Sequence, residues 1–155
     1  MKKVEVNVIE ILWKGPFNVN EVVKMNGDDD IGIYQIYGSH DTHGPDVLLY
    51  IGQTAQQSFG ARIKQHNTDW IKWEPSSVEI YLGRLCDVKD VDQEIDIAEK
   101  LLIYYGSPPY NSYNLIKYDG IPNVLILNIG RKNRIPYAIT SLVDQSTYWE
   151  EKISS

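Results

Sequence analysis

The chain contains a single cysteine, Cys86, so no internal disulfide can close and a four-thiolate zinc site is excluded. Nowhere does it approach the ~20 consecutive apolar residues that a membrane-spanning helix requires. The opening MKKVEVNVIEILWKG carries two lysines, but Glu5, Asn7 and Glu10 interrupt what would have to be the apolar core of a secretory leader. No internal repeat, low-complexity tract or linker rich in Gly, Ser or Pro divides the 155 residues. Positive charge is scarce as well: Lys+Arg 15 against Asp+Glu 21 gives a net charge of -6. That balance argues against a histone-like or arm-like nucleic-acid binder, whose affinity rests on a large positive excess. What is present, 43% hydrophobic and 23% charged residues, is too apolar for a disordered chain. The expectation is one intracellular, cytoplasmic domain over 1–155, with no membrane partner, long enough to bury about two-thirds of its unfolded surface.

Charge and hydropathy vary along that domain. Residues 76–99 carry a net −5 and residues 100–135 a net +4, the latter from Lys100, Lys117, Arg131, Lys132 and Arg134 against Asp119. A polyanion would suit the basic half, although the turn 131–134 (RKNR) taken alone reads as a solvated loop. Residues 19–26 (VNEVVKMN) read as a short helix closed by the turn cluster 27–30. Two β-rich runs follow, 31–37 (IGIYQIY) and 47–52 (VLLYIG), joined by turn formers over 38–46, which predicts a hairpin with a long loop. Ser58 is placed to cap a helix reaching about Asn67, and 78–85 (VEIYLGRL) alternates as a third strand. Asp90 or Asp92 opens a strong helix to Tyr105, ended by Gly106 and Pro108. A hairpin over 124–129 and 137–140 and a short terminal helix complete a small mixed α/β domain with a C-terminal addition.

The least expected residue is Glu99. At ~100° per residue it shares a helix face with Ile95, Leu102 and Ile103, where burying a carboxylate is costly unless a cation or hydrogen bonds meet it. The plain reading is an ion pair with Arg62, Arg84 or Lys100; a metal ligand requires other groups to converge there. Arg62 and His66 stand i, i+4 on one helix face, able to grip a phosphate and to move a proton near neutral pH. Tyr34 and Tyr50 sit near matching positions of the two hairpin strands, and a phenol oxygen near a cation can accept a proton.

Gly32-Ile33-Tyr34 and Tyr50-Ile51-Gly52, in that order and on predicted strands, spell the two signatures of the GIY-YIG nuclease family. The chain further resembles that family at Arg62 and His66 in the following helix, at Glu99, and at Asn111 in Pro-Pro-Tyr-Asn. The likeness covers 32–111. It implies an α+β fold with a small three-stranded antiparallel sheet flanked by helices over a core of 30–116, and a C-terminal extension of hairpin and helix over 117–155. It also implies metal-dependent hydrolysis of phosphodiesters, with DNA the expected substrate. On the same basis Glu99 is the sole protein ligand of one Mg²⁺ (or Mn²⁺), and Arg62 clamps the scissile phosphate. Tyr34 is the candidate base with His66 assisting, Tyr50 orients water or phosphate, and Asn111 braces the site. Gly32 and Gly52 would allow close approach. Nucleic acid would be held by Arg62, Arg84, Lys117, Arg131, Lys132 and Arg134. Two departures are the 16-position gap from Tyr34 to Tyr50 and Gln53 where many members carry lysine. With no separate DNA-binding domain in sight, specificity would come from loops, a homodimer or another partner.

Other readings compete. His40 and His43, with Asp41, Asp46 and Cys86, could gather a zinc ion or be solvated loop residues. Trp70 and Trp73 around Lys72 could stack bases or simply pack. Arg84 could meet a phosphate or pair with the acidic helix. The rival in function is a non-catalytic module that binds nucleic acid or protein on the same fold; an RNA-directed nuclease or toxin is a third.

Overall fold

The computed structural model describes residues 5–115 and 121–143. Its elements run β1 (Asn7–Phe17), α1 (Val19–Val22), β2 (Gly32–His40), β3 (Gly44–Thr54), α2 (Phe59–Asp69), a 3-10 turn (Ile71–Trp73), β4 (Glu79–Cys86), α3 (Val91–Gly106), β5 (Val124–Gly130), β6 (Ala138–Thr140) and a last 3-10 turn (Ser141–Val143). The anticipated terminal helix and Lys117 lie outside the described residues. Among those residues no helix is long and apolar enough to cross a membrane.

The architecture corrects the expected small three-stranded antiparallel sheet. One strongly curled, mixed sheet of six strands runs β3-β2-β4-β1-β5-β6. The physical cause is β1, whose Ile9, Ile11 and Trp13 alternate inward against outward-facing Val8, Glu10, Leu12 and Lys14. Its two free edges are taken up by β4, antiparallel (Ile11 opposite Leu85), and by β5, parallel (Ile9 opposite Ile126). A strand buried on one face and paired on both edges cannot leave its neighbours in separate sheets. The β5–β6 hairpin is therefore an integral edge of the same sheet. The long hairpin loop is shortened too, because β2 and β3 run on to His40 and Gly44 and leave Asp41, Thr42 and His43 between them. Register shifts between Ile36 and Tyr37 and between Gly38 and His40 absorb residues that read as loop.

The helices are set by their caps. Ser58 Oγ accepts from Ala61 N (3.1 Å) and Asp90 Oδ1 from Gln93 N (3.2 Å), satisfying first-turn donors that have no partner within the helix. α3 stops where Ser107 enters the left-handed region (φ 44), one residue after Gly106. Two apolar clusters result. On one face of the sheet α3 packs Ile95, Ala98, Leu101 and Leu102 on Ile9, Ile11, Ile33, Ile51 and Ile126. On the other, Phe59 and Ile63 of α2 and Val22 of α1 cover Tyr34, Ile36, Ile80 and Leu82.

Candidate active site

The site grows from the β2–β3 hairpin. Tyr34 lies opposite Gly52 and Ile36 opposite Tyr50, so the two tyrosines are diagonal neighbours on the face that α2 covers. Their ring centroids are 6.1 Å apart. Both motif glycines have a local reason. Gly32 holds φ +150, and a Cβ there would run into the Gly83 carbonyl; a Cβ at Gly52 would fall inside the Tyr34 phenol.

α2 brings its side chains down onto that pair. Tyr34 Oη lies 2.6 Å from His66 Nε2, and the Trp70 indole Nε1 donates to His66 Nδ1 at 3.0 Å. One turn before His66, the Arg62 guanidinium donates to Gln65 Oε1 (3.0 Å) and engages both the Tyr34 and Tyr50 phenols. Burial, opposed by these two phenols, acts on Arg62, and the phenols prevail to raise its pKa. Tyr34 has no exposed surface, and burial, with the Tyr50 phenol and Glu99 adding to it, lifts its pKa far above the usual phenol range against the pull of Arg62. His66 is pushed down to about 4, first by burial and then by the Arg62 charge.

From the opposite face, α3 reaches around the edge strand β3. Glu99 joins Arg62, Tyr50, Gln53, Thr54 and Gln57 in lining an open cleft of about 380 Å³. It makes no ion pair or hydrogen bond with a described residue, since Lys100 pairs with Asp96 (3.0 Å) and Arg84 with Asp30 (2.6 Å). Burial, and then the Asp96 charge, lift Glu99 to about 7. An unpaired carboxylate whose ionisation is resisted gains from a cation more than a solvated one does.

Asn111 holds the strand from outside. Its Oδ1 accepts from Ile51 N (3.0 Å) and its Nδ2 donates to Ile51 O (2.8 Å), so one amide occupies both edge groups of the residue between Tyr50 and Gly52. Tyr110 N donates to Leu49 O (2.9 Å) and extends the contact.

Against models of known families, curated proteins and solved structures, the chain matches none.

Tyr34, Tyr50, Arg62, His66, Glu99 and Asn111 all meet around β3. The other described basic residues of the expected nucleic-acid surface do not. Arg84 also donates to Asp29 O (3.1 Å) and lies 5.2 Å from the Phe59 ring centroid, which anchors the start of β2 to β4 rather than to the acidic helix. Arg131, Lys132 and Arg134 sit on the β5–β6 turn, on the sheet face opposite Tyr34. There the Lys132 carbonyl accepts from Gln35 Nε2 (3.2 Å), and Arg134 pairs with Asp46 (3.2 Å) beside a separate cavity of about 420 Å³. His40 and His43 stack at 4.7 Å, with His40 Nδ1 accepting from the Thr42 and His43 amides. Among the described residues no group of three or more His, Cys, Asp or Glu converges on one point.

Trp70 is the residue of the site that sequence reasoning left undecided. Its ring packs on Tyr50, His66 and Tyr110, whereas Trp73 is 75% exposed with Lys72 Nζ 5.0 Å from its ring. The i, i+4 spacing from His66 was the available signal.

Proposed function

We propose that this protein is a metal-dependent endonuclease of the GIY-YIG type, hydrolysing phosphodiester bonds of DNA. The observation that carries the reading is one cleft lined by a phenol (Tyr50), a guanidinium (Arg62) and a carboxylate unpaired among the described residues (Glu99), with the Tyr34 phenol and the His66 imidazole buried directly behind Arg62. A scaffold has no need to aim an arginine and an unpaired glutamate into the same opening.

Glu99 fits the role of sole protein ligand of a Mg²⁺ or Mn²⁺ ion, because such ions keep most of their waters and use one or two carboxylates. When bound, the ion supplies positive charge at the phosphate and reverses the sign of the field that Glu99 exerts on Tyr34. Arg62 takes the scissile phosphate by turning from the phenols it engages in the free protein. That movement uncovers Tyr34 Oη, which otherwise has no access to the cleft. With the positive charge of a bound ion nearby, the uncovered Tyr34 would release its own proton to solvent and, as the phenolate, accept the proton of the attacking water, while Tyr50 orients water or phosphate from the cleft wall. Asn111 keeps Tyr50 and Gly52 in register by holding Ile51 between them. Nucleic acid approaches along the cleft, with the basic turn 131–134 available to a second segment of backbone or to a partner.

The burial of Tyr34 favours one alternative, a module that binds nucleic acid or protein and does not cut. Cleavage of supercoiled plasmid with Mg²⁺ or Mn²⁺, compared between the native protein and Glu99→Ala, separates the two. Metal-dependent nicking or linearisation that disappears in Glu99→Ala supports the nuclease. Equal cutting by both removes Glu99 from the site, and binding without product from either supports the module.

A further inference from the structure

We propose that Trp70 is a positioning residue that locks His66 in its Nε2–H tautomer, making the imidazole a hydrogen-bond donor to Tyr34 Oη and excluding it as the acceptor of the water proton. The inference rests on the nuclease reading for its meaning in catalysis, but its geometry stands apart from it.

The donor inventory decides the matter. An indole N–H can donate and cannot accept. Because Trp70 Nε1 lies 3.0 Å from His66 Nδ1, that nitrogen must present a lone pair. A neutral imidazole with an unprotonated Nδ1 carries its hydrogen on Nε2, which faces Tyr34 Oη at 2.6 Å. Trp70 is itself fixed twice over, since its backbone N–H donates to the His66 carbonyl at 2.8 Å where it caps α2. Its ring is wedged between Tyr50 and Tyr110, with centroids at 6.1 and 5.4 Å. Protonation of Nδ1 would set two N–H groups against each other, so the charged imidazolium is disfavoured by geometry as well as by burial. The consequence falls on Tyr34. Its oxygen receives one bond from His66 and is engaged by Arg62, contacts that favour the phenolate and oppose the burial that holds the phenol protonated in the free protein. Both nitrogens of His66 are then occupied, and the water proton has Tyr34 as its destination.

The test is nitrogen NMR on the full chain labelled with ¹⁵N-histidine. Three histidines are present, and the His66 signals are assigned by their absence in His66→Gln. Near pH 7 the native protein is expected to show a pyridine-type Nδ1 and a pyrrole-type Nε2 for His66, and Trp70→Phe to move both towards a mixture of tautomers. A protonated Nδ1 in the native protein overturns the proposal even where Trp70→Phe does not fold, as does a tautomer unchanged in a folded Trp70→Phe. Cleavage gives the second arm, because a glutamine amide can donate to Tyr34 but cannot take a proton. His66→Gln should stay within about tenfold of native, and His66→Ala should lose on the order of a hundredfold. Equal loss in both overturns the donor role. Absence of cleavage by the native protein would refute the nuclease reading, and the ring spectrum would still decide the tautomer.

Discussion

The two faces of the sheet each bury a chain of hydrogen-bonded polar side chains, built from nearly the same chemistry. On the α3 face, the Trp13 indole donates to Asn128 Oδ1 (2.9 Å) and Asn128 Nδ2 to the Pro136 carbonyl (2.9 Å). Nearby, the Tyr37 phenol donates to Gln35 Oε1 (2.5 Å) and Gln35 Nε2 to the Lys132 carbonyl. On the α2 face an indole, an imidazole and a phenol run Trp70, His66, Tyr34 and then continue to Arg62. Among the described residues, neither face leaves a buried side-chain polar atom without a partner. The difference is where each chain ends. Those on the α3 face close on backbone carbonyls and tie the β5–β6 turn to β1 and β2. The one on the α2 face ends on a partly exposed guanidinium opposite an unpaired carboxylate. A network that closes on backbone serves the fold, whereas one that opens onto a cleft is poised to exchange its last partner for a ligand.

Removing the open end is expected to have the largest effect. Arg62→Ala should cut metal-dependent cleavage by about 10²–10³-fold, equivalent to about 3–4 kcal/mol of transition-state stabilisation, with little change in Tm. Asn128→Leu on the closed side should do the reverse. It strands the Trp13 N–H and the Pro136 carbonyl, costing about 2–4 kcal/mol of stability in a denaturant titration while leaving the cleavage rate of the folded fraction unchanged. If Arg62→Ala also unfolds the protein, or Asn128→Leu also slows cutting, the distinction between the two networks fails.

The same distinction marks what could be read in the sequence. The hairpin tyrosines, the caps Ser58 and Asp90 and the i, i+4 pair on α2 are local patterns, and each lies in the expected element. β1 is equally regular, with Ile9, Ile11 and Trp13 alternating against polar or exposed neighbours, yet its position at the start of the sequence makes it resemble an interrupted leader. Its partner β5 begins more than a hundred positions away, with Asn7 opposite Val124, and no local period reports such a pairing. Residues 38–46 read as loop for a different reason. Gly38 packs where a Cβ would meet Leu49 Cδ1 at 2.8 Å, so the residue is a strand glycine required by close approach and not a turn former. Arg84 and Asp30 are both visible as charges, but their pairing depends on β2 lying beside β4. Trp70 is visible as an aromatic, but its bond to His66 depends on how α2 ends.

Acid titration of stability sharpens the comparison within the site itself. His66 is held neutral in the fold, at about 4 against 6.5 when unfolded. Its contribution is complete above pH 6.5 and is lost as pH falls towards 4, because the unfolded chain binds the proton first. Glu99 runs the other way, at about 7 in the fold against 4.5. In the metal-free protein its ionisation costs nothing below pH 4.5 and progressively more as pH rises to 7. The two slopes oppose each other over nearly the same window, so each single variant should uncover the other residue. Between pH 4.5 and 6.5, Glu99→Gln should gain stability with rising pH relative to native, and His66→Gln should lose it, each by about 1–2 kcal/mol after allowance for solvent screening. Parallel curves for native and both variants would mean that neither group is perturbed by its surroundings.

The smallest effect is expected at Asn111, and it tests whether the edge of the site is held or merely present. Among the described residues β3 has no strand on its outer side, so the Ile51 N–H and C=O would face water were the Asn111 amide not there. Asn111→Ala hands both groups back to solvent, which can still satisfy them, so the cost is limited to about 1–2 kcal/mol. The local signature should be clearer than the global one. Hydrogen exchange at the Ile51 amide should accelerate about ten- to a hundredfold, and that at Ile36, inside the β2 pairing, should follow global stability alone. Cleavage should fall by less than it does in Arg62→Ala, because Tyr50 and Gly52 lose their restraint but not their chemistry. Unchanged exchange at Ile51 would show that β3 holds its own edge, and Asn111 would then have no part in fixing Tyr50 over the cleft.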